Sequence, residues 1–503
     1  MRKLIFTITL LVLSTGGALV GAADKGPELK FDPNSVSTAE SQPAKATKDF
    51  VYGAKPIAKF GNEDTYVKLG GYGSMRFESD SAKDMNNTFT LRRLVFTTDA
   101  KIASRFRIYT ELEFERFRKI ELERNIVAGS GTFSASEDIE GTNHSEISLE
   151  QAWFEVEFTN WLRFRGGGVL VPLGRFNINH DDNLWNLPRR SLVDRGVPVL
   201  ATTSAWDELG FGLNGDIELN EKQKLNYQIY VVNGAVMDAQ IEKKIKTRSG
   251  DTTLLEVDGE FGISTGTFSH DVKNAKTVTG RLMYSPALGH EFGLSGYWGR
   301  YTPSYLVGKN LTSFGLDTLQ SWGAFDLEAE YIFSHFGGLR QVIDSFAARV
   351  TTQESKAEDK STSPGLETEV DFTQSGLAST KHGYWVELRY HLRPEWLTNS
   401  FFGKHFSDPQ FIPVLRWEQA FLLDRVVDAA FSNGAVTHFQ TENRRVDRIT
   451  AGMAFRLNPL AVFQLAYEYT QTNKNQALAD VVNYLASPST RNSSVMFGAA
   501  FGF

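Results

Sequence analysis

From Ser493 to the final Phe503 the chain alternates: Val495, Phe497, Ala499, Phe501 and Phe503 share one face of an extended strand, and Ser494, Met496, Gly498, Ala500 and Gly502 share the other. Successive strand side chains point to opposite sides, so one face suits an apolar medium and the other a filled or wet interior. The same period recurs upstream. Phe106, Ile108, Thr110, Leu112 and Phe114 alternate with Arg107, Tyr109, Glu111, Glu113 and Glu115, which places three carboxylates in a row opposite the apolar face. Val67 to Phe77, Leu209 to Ile217, Leu225 to Val231, Phe325 to Phe333, Tyr384 to Leu392, Ile449 to Leu457 and Phe463 to Tyr469 follow suit.

Such strands need lipid or a core on one side and water on the other. Beyond the first residues no stretch approaches 18 consecutive apolar residues, yet 41% of residues are hydrophobic and 12% aromatic. A closed barrel reconciles the two, because every backbone group pairs with a neighbouring strand while alternate side chains face lipid. The fold class expected is all-β, a transmembrane antiparallel β-barrel. With no cysteine in the chain, disulfides, thiolate metal sites, iron-sulfur clusters and covalent haem attachment are excluded, and no cofactor is expected.

Met1-Arg2-Lys3, the short apolar run from Leu4 to Leu13 and the small residues Val20-Gly21-Ala22-Ala23 predict a signal peptide over 1–22. Its removal takes two cations from a chain of net charge −7, leaving about −9, an acidic balance that argues against nucleic acid. Residues 23–62 carry Pro27, Pro33, Pro43 and Pro56 in a mixture rich in Ser, Ala and Lys with little periodicity. They read as a periplasmic arm, and 63–503 as the barrel.

Short links (Ala103-Ser104, Thr159-Asn160, Asn220-Glu221, Ala287-Leu288-Gly289, Asn458-Pro459) alternate with long ones (Arg118 to Ser145, Pro172 to Ala205, Ala235 to Asn274, Thr351 to Thr380, Phe421 to Asp447). Tight turns belong on the periplasmic side and long loops outside, which gives about sixteen strands, or about eighteen if Thr253 to Phe268 adds a hairpin. The weakest strand assignment, Leu339 to Val350, rests on even parity. Tyr301, Trp322, Trp396 and Phe401 are expected in aromatic girdles at the membrane boundary.

The stretch from Leu162 to Phe176 departs from simple alternation. Gly166, Gly167 and Gly168 weaken a strand and point to a close neighbour against that wall. Arg175 lies at the end of this stretch, and the residues after it, Asn177 to Thr203, carry His180, Asp181, Asp182, Arg189, Arg190 and Arg195, with Pro188 and Pro198 stiffening the path. They read as a loop folded into the lumen as a constriction, the competing reading being a hydrated extracellular loop. His180-Asp181-Asp182 has metal-ligating residue types, but three adjacent loop residues do not readily converge on one ion, and no metal site is assigned. Glu111 and Glu113 lie about 6.6 Å apart on one face with no sign of a substrate pocket, and nothing places a nucleophile beside a base; no enzyme activity is expected.

Leu91-Arg92-Arg93 leading a strand, Leu149-Glu150-Gln151-Ala152-Trp153, the Gly-Gly-Gly-Val-Leu-Val-Pro-Leu-Gly run from Gly166 and Arg190-Ser191-Leu192-Val193 resemble the phosphate-selective porin O and P family of outer-membrane channels. The resemblance covers about Thr65 to Thr203. It implies a bacterial outer membrane location, sixteen strands, a homotrimer and a folded-in third loop, with Arg163 and Arg165 on the wall facing that loop. The last strand, ending in Phe503, also resembles the signal read by the barrel assembly machinery.

The inward set departs from a phosphate filter, which needs several fixed cations to replace the hydration of a dianion. Glu111, Glu113, Glu115, Glu155, Glu157, Asp326, Glu328 and Glu330 face Arg93, Arg107, Arg163, Arg165, Arg389, Arg416 and Arg456. The expectation is therefore a porin for passive diffusion of small hydrophilic solutes or ions, in contact with lipid and lipopolysaccharide. The alternative is a barrel acting as a scaffold or sleeve around a partner such as a multihaem cytochrome.

Overall fold

The computed structural model describes residues 58–81, 87–116, 120–129, 132–141, 146–196, 199–201, 205–248, 252–265, 271–358, 366–372, 377–432, 435–473, 478 and 489–503. The signal peptide and nearly all of the arm lie outside them. Sixteen strands form the wall: β1 (Tyr66–Asp80), β2 (Thr88–Ile102), β3 (Phe106–Glu115), β4 (Glu146–Thr159), β5 (Leu162–Leu170), β6 (Asp207–Glu218), β7 (Lys224–Val232) and β8 (Thr277–Ala287), then β9 (His290–Arg300), β10 (Asn310–Trp322), β11 (Phe325–Phe336), β12 (Ala378–Tyr390), β13 (Gln410–Ser432), β14 (Ala435–Asn458), β15 (Ala461–Thr472) and β16 (Arg491–Gly502). Each pairs antiparallel with its sequence neighbours, and β1 pairs with β16 from Tyr72↔Gly502 to Asp80↔Ser494, which closes the ring and leaves no wall edge to aggregate.

The alternation read in the sequence sets the two surfaces. Val495, Phe497 and Phe501 are exposed on the outside, and Ser494, Met496 and Ala500 are buried within. Leu112 sits on the outer face between Phe96 and Leu149, while Glu111 and Glu113 are buried inside. A closed antiparallel barrel, apolar outside and charged inside, is a membrane-spanning barrel of the bacterial outer membrane type. Leu112→Arg is expected to cost up to about 2 to 4 kcal/mol near the bilayer midplane. It should lower the folded yield in membranes, with near-normal conductance from chains that insert; an unchanged yield would refute this register.

One end carries the tight connections. In the three-residue connection between the paired Ile102 and Phe106, φ at Ala103 and Ser104 is 50° and 59°, left-handed backbone that so tight a turn needs. The connection 391–409 on this end is longer, holding two short helices, Glu395–Thr398 and Phe401–His405, the second capped by Ser400, whose Oγ accepts from the Phe402 and Gly403 amides. Trp322, Trp396 and Phe401 are exposed here as girdle residues would be. Tyr301 is not: it is buried at the opposite end, donating to the Gly337 carbonyl.

Three sequence expectations change at that opposite end. Leu339 to Val350 is no strand but part of a helix, Leu339–Glu358. Leu339, Val342, Ile343 and Phe346 are spaced for one helical face, and that face is buried against Tyr301, Phe336 and Val426; sixteen strands close without it. Thr253 to Phe268 adds no hairpin to the wall: Thr252–Ser264 is a single strand that pairs with Val236–Arg248 and, in parallel, with Leu366–Phe372 in a sheet separate from the wall, so the count stays at sixteen. Phe421 to Asp447 is no long loop: β13 and β14 run 23 and 24 residues and pair along most of their length. At the other end of the wall, the arm's last residues, Ala58–Gly61, pair with Tyr66 to Leu69 of β1 as a short extra strand.

Candidate functional site

Residues 171–206, between β5 and β6, form a loop pinned at its base. The Val171 amide donates to the Trp206 carbonyl, while the Asn177 side chain donates to the Val171 carbonyl and accepts from the Trp206 amide. A single buried amide thus satisfies both ends of a long excursion.

The excursion crosses between opposite parts of the wall. At β11 the Glu330 carboxylate accepts from the Arg175 and Phe176 amides at 2.6 and 2.7 Å. The Arg175 guanidinium reaches Glu328 on β11 and Glu291 on β9. Gly174, at φ 77°, lets the backbone approach Glu330 and Ile332, where a Cβ would lie 2.9 Å from the Ile332 side chain. Seven strands away in sequence order, His180 Nε2 lies 3.0 Å from Glu150 on β4, and Asp182 accepts from Ser74 on β1.

Beyond Asp182 the backbone itself is held. Arg456 on β14 donates to the carbonyls of Asn183, Leu184 and Trp185 and to the Asn186 side chain. Gln464 on β15 donates to the Trp185 and Leu187 carbonyls, and Arg76 on β1 to that of Pro188. Arg416 on β13 and Arg448 on β14 donate to the carbonyls of Arg189 and Arg190. Arg189 is held by Glu78 on β1 and Glu468 on β15; the Leu192 amide donates to Glu418 on β13. The apolar residues Val171, Leu173, Phe176, Val193 and Leu200 pack with Trp385, Ile332 and the buried face of the helix Leu339–Glu358.

The other expected residues stand as follows. Arg93 pairs with Glu113 at 3.2 Å, both buried, and Glu115 lies 3.6 Å from Arg92. Arg107 pairs with Asp99 towards the tight-turn end. Arg163 binds Asn214 and Asp216. Arg165 binds Glu155 and stacks 3.9 Å above the Trp153 ring. Arg190 pairs with Asp194 and faces the Trp185 ring; the Arg195 side chain lies outside the described residues. The close neighbours of the glycine run are the β4 backbone, 2.3 Å from a Cβ at Gly167, and the Phe154 ring and Phe211 Cβ beside Gly166.

Glu78, Glu150, Glu418, Arg448 and Glu468 also hold the loop but escaped the sequence reading. Glu418 follows Arg416 by two residues on one strand face, a signal that alternation could have yielded. Glu150 gave no such signal: Glu111 pairs with Gln151 and Leu112 with Leu149, so Glu150 is the extra residue of a β-bulge, which turns both Glu150 and Gln151 inward. Burial disfavours the His180 imidazolium and the adjoining Glu150 carboxylate favours it, and its pKa is pushed up to about 10.

No family model matches the chain. Over 168 residues, 33% of its length, the chain is 26% identical to an uncharacterized protein of Aquifex aeolicus (strain VF5), and it spans only 32% of that protein. Among solved structures it is similar to Salmonella typhi OmpF in complex with daunomycin, at 10% identity and a TM-score of 0.47, covering 89% of this chain and 100% of that one. It is similar to an anion-selective porin from Comamonas acidovorans (9%, TM-score 0.46, 87% and 100% covered) and to the outer membrane channel DcaP of Acinetobacter baumannii (10%, 0.44, 89% and 100%).

Proposed function

We propose that this chain is an outer-membrane porin, a passive diffusion channel for small hydrophilic solutes or ions whose lumen is narrowed by residues 172–205. The observation that carries the reading is the attachment of that segment to strands on opposite sides of a closed barrel with a charged inner wall. Around it, the arginines are committed. Arg416, Arg448 and Arg456 spend donors on loop carbonyls, and Arg175 and Arg189 on carboxylates. Guanidiniums so occupied offer little to a dehydrating phosphate. On the β3–β4 side Glu111, Glu113, Glu150 and Asp181 outnumber His180 and Arg93, which favours cations and neutral solutes.

Selectivity tests this in a planar bilayer. Under a salt gradient the purified protein should conduct in discrete steps, with a small cation-leaning reversal potential and no block by phosphate. Strong anion selectivity with phosphate block would overturn the selectivity. A folded barrel that does not conduct would overturn the channel in favour of the sleeve, which the lumen-crossing segment disfavours because it occupies the space a partner would need. The same reading carries a homotrimer, contact with lipid and lipopolysaccharide, recognition by the barrel assembly machinery, and no enzyme activity.

A further inference from the structure

We propose that Glu111, Glu150 and His180 hold one divalent transition-metal ion, which ties the segment 171–206 to the wall between β3 and β4. One donor atom from each of the three lies within 4.8 Å of the others, and all three residues are buried. They come from three separate elements, so their convergence is a product of the fold.

Three further observations point the same way. His180 Nδ1 lies 3.0 Å from the Asn177 carbonyl, which can only accept, so Nδ1 carries a hydrogen; Nε2, which donates to Glu150 while the ring is charged, is the nitrogen turned to the carboxylates and the one a metal ion would take by displacing its proton. Such a bond from the far ring nitrogen is what orients a metal-binding imidazole. Gln151 Nε2 and Tyr109 OH likewise donate to Glu111 Oε2 and fix that carboxylate. Second, Glu150 faces inward only because of the bulge in β4, a local irregularity that re-aims one side chain into the cluster. Third, Oδ1 of Asp181 is buried, accepts no hydrogen bond and lies 3.8 Å from His180 Nε2, an uncompensated oxygen beside the three donors.

The chemistry of the set selects the ion. One imidazole with two carboxylates suits Zn²⁺, Co²⁺, Mn²⁺ or Fe²⁺ over Ca²⁺ or Mg²⁺, which take oxygen alone. Bonds of about 2.0 to 2.1 Å in a tetrahedron separate donors by about 3.3 Å, close to the 3.0 Å between His180 Nε2 and Glu150. A dication also offsets the excess of buried carboxylate here, where Glu113 pairs with Arg93, and Glu150 and Asp181 share His180.

The site does not rest on the channel reading, and its test needs no conductance. The full chain, folded in detergent and checked by the mobility difference between heated and unheated samples on a gel, is titrated with Zn²⁺ by calorimetry and with Co²⁺ by visible absorption. The expected result is one Zn²⁺ per chain, with Ca²⁺ and Mg²⁺ at least tenfold weaker. Glu150→Gln and His180→Gln should each weaken Zn²⁺ by more than the roughly 10- to 100-fold that loss of an outer partner produces. The Co²⁺ band should shift in His180→Gln. Glu111→Gln, which keeps an acceptor for Gln151 and Tyr109, serves if either of the others fails to fold. Unchanged Zn²⁺ affinity in the folded variants, or no stoichiometric Zn²⁺ in the parent, would overturn the site.

Discussion

Replacing residues 175–203 by a short Gly-Ser bridge is expected to raise single-channel conductance several-fold while the barrel still folds. Sixteen-stranded barrels leave an aqueous lumen unless something fills it, and here the excursion between β5 and β6 is bonded to strands around the ring. The wall does not depend on the excursion for its backbone pairing, which is closed strand to strand. The replacement removes Phe176, Val193, Val199 and Leu200 from the apolar core, so the helix Leu339–Glu358 loses packing and thermal stability falls. Conductance recorded step by step from refolded protein decides the matter: a value equal to the parent's would mean that residues 172–205 do not limit the pore.

Glu418→Ala is expected to be the most damaging single substitution at the loop. Glu418 has no exposed surface; one oxygen accepts from Arg448 Nε with Arg416 Nε 3.4 Å away, and the other accepts from the Leu192 amide. Removal leaves two buried guanidiniums short of a counter-charge and one buried amide unpaired, a loss of about 3 to 5 kcal/mol. Because Arg416 and Arg448 also hold the Arg189 and Arg190 carbonyls, the loss should concentrate in that half of the loop. Hydrogen exchange at Arg189 to Asp194 is expected to accelerate sharply, with little change in the β1–β16 seam. Glu418→Gln keeps the Leu192 bond and should fall between parent and Ala. A urea midpoint and an exchange pattern both matching the parent would mean that the cluster does not hold the loop.

Legibility followed the range of the interactions. The outer face was readable wherever one residue in two was apolar, as at Leu112 and from Val495 to Phe503, because that period is a property of the strand alone. The helix at Leu339 was misread although Leu339, Val342, Ile343 and Phe346 carry a helical spacing; strand parity overrode it. The charged loop at Arg175 to Arg190 was visible as composition, but its partners were not, since Glu328, Glu418, Arg456 and Glu468 lie some 150 to 280 residues away. His180 shows the limit most plainly: its sequence neighbours Asp181 and Asp182 suggested a weak metal motif, whereas the geometry brings in Glu111 and Glu150.

What the sequence determined by itself was the wall: a period of two, charges on one face, and too few long apolar runs for helices. Those follow from backbone geometry and from the cost of unpaired peptide groups in lipid, which act residue by residue. Only the tertiary structure decided what fills the wall and where each inward charge is spent. Closing the ring brings β4, β11 and β14 around one loop, and a single bulge at Glu150 changes which side chain faces it. Those distances are set by the whole circumference, which no local pattern encodes.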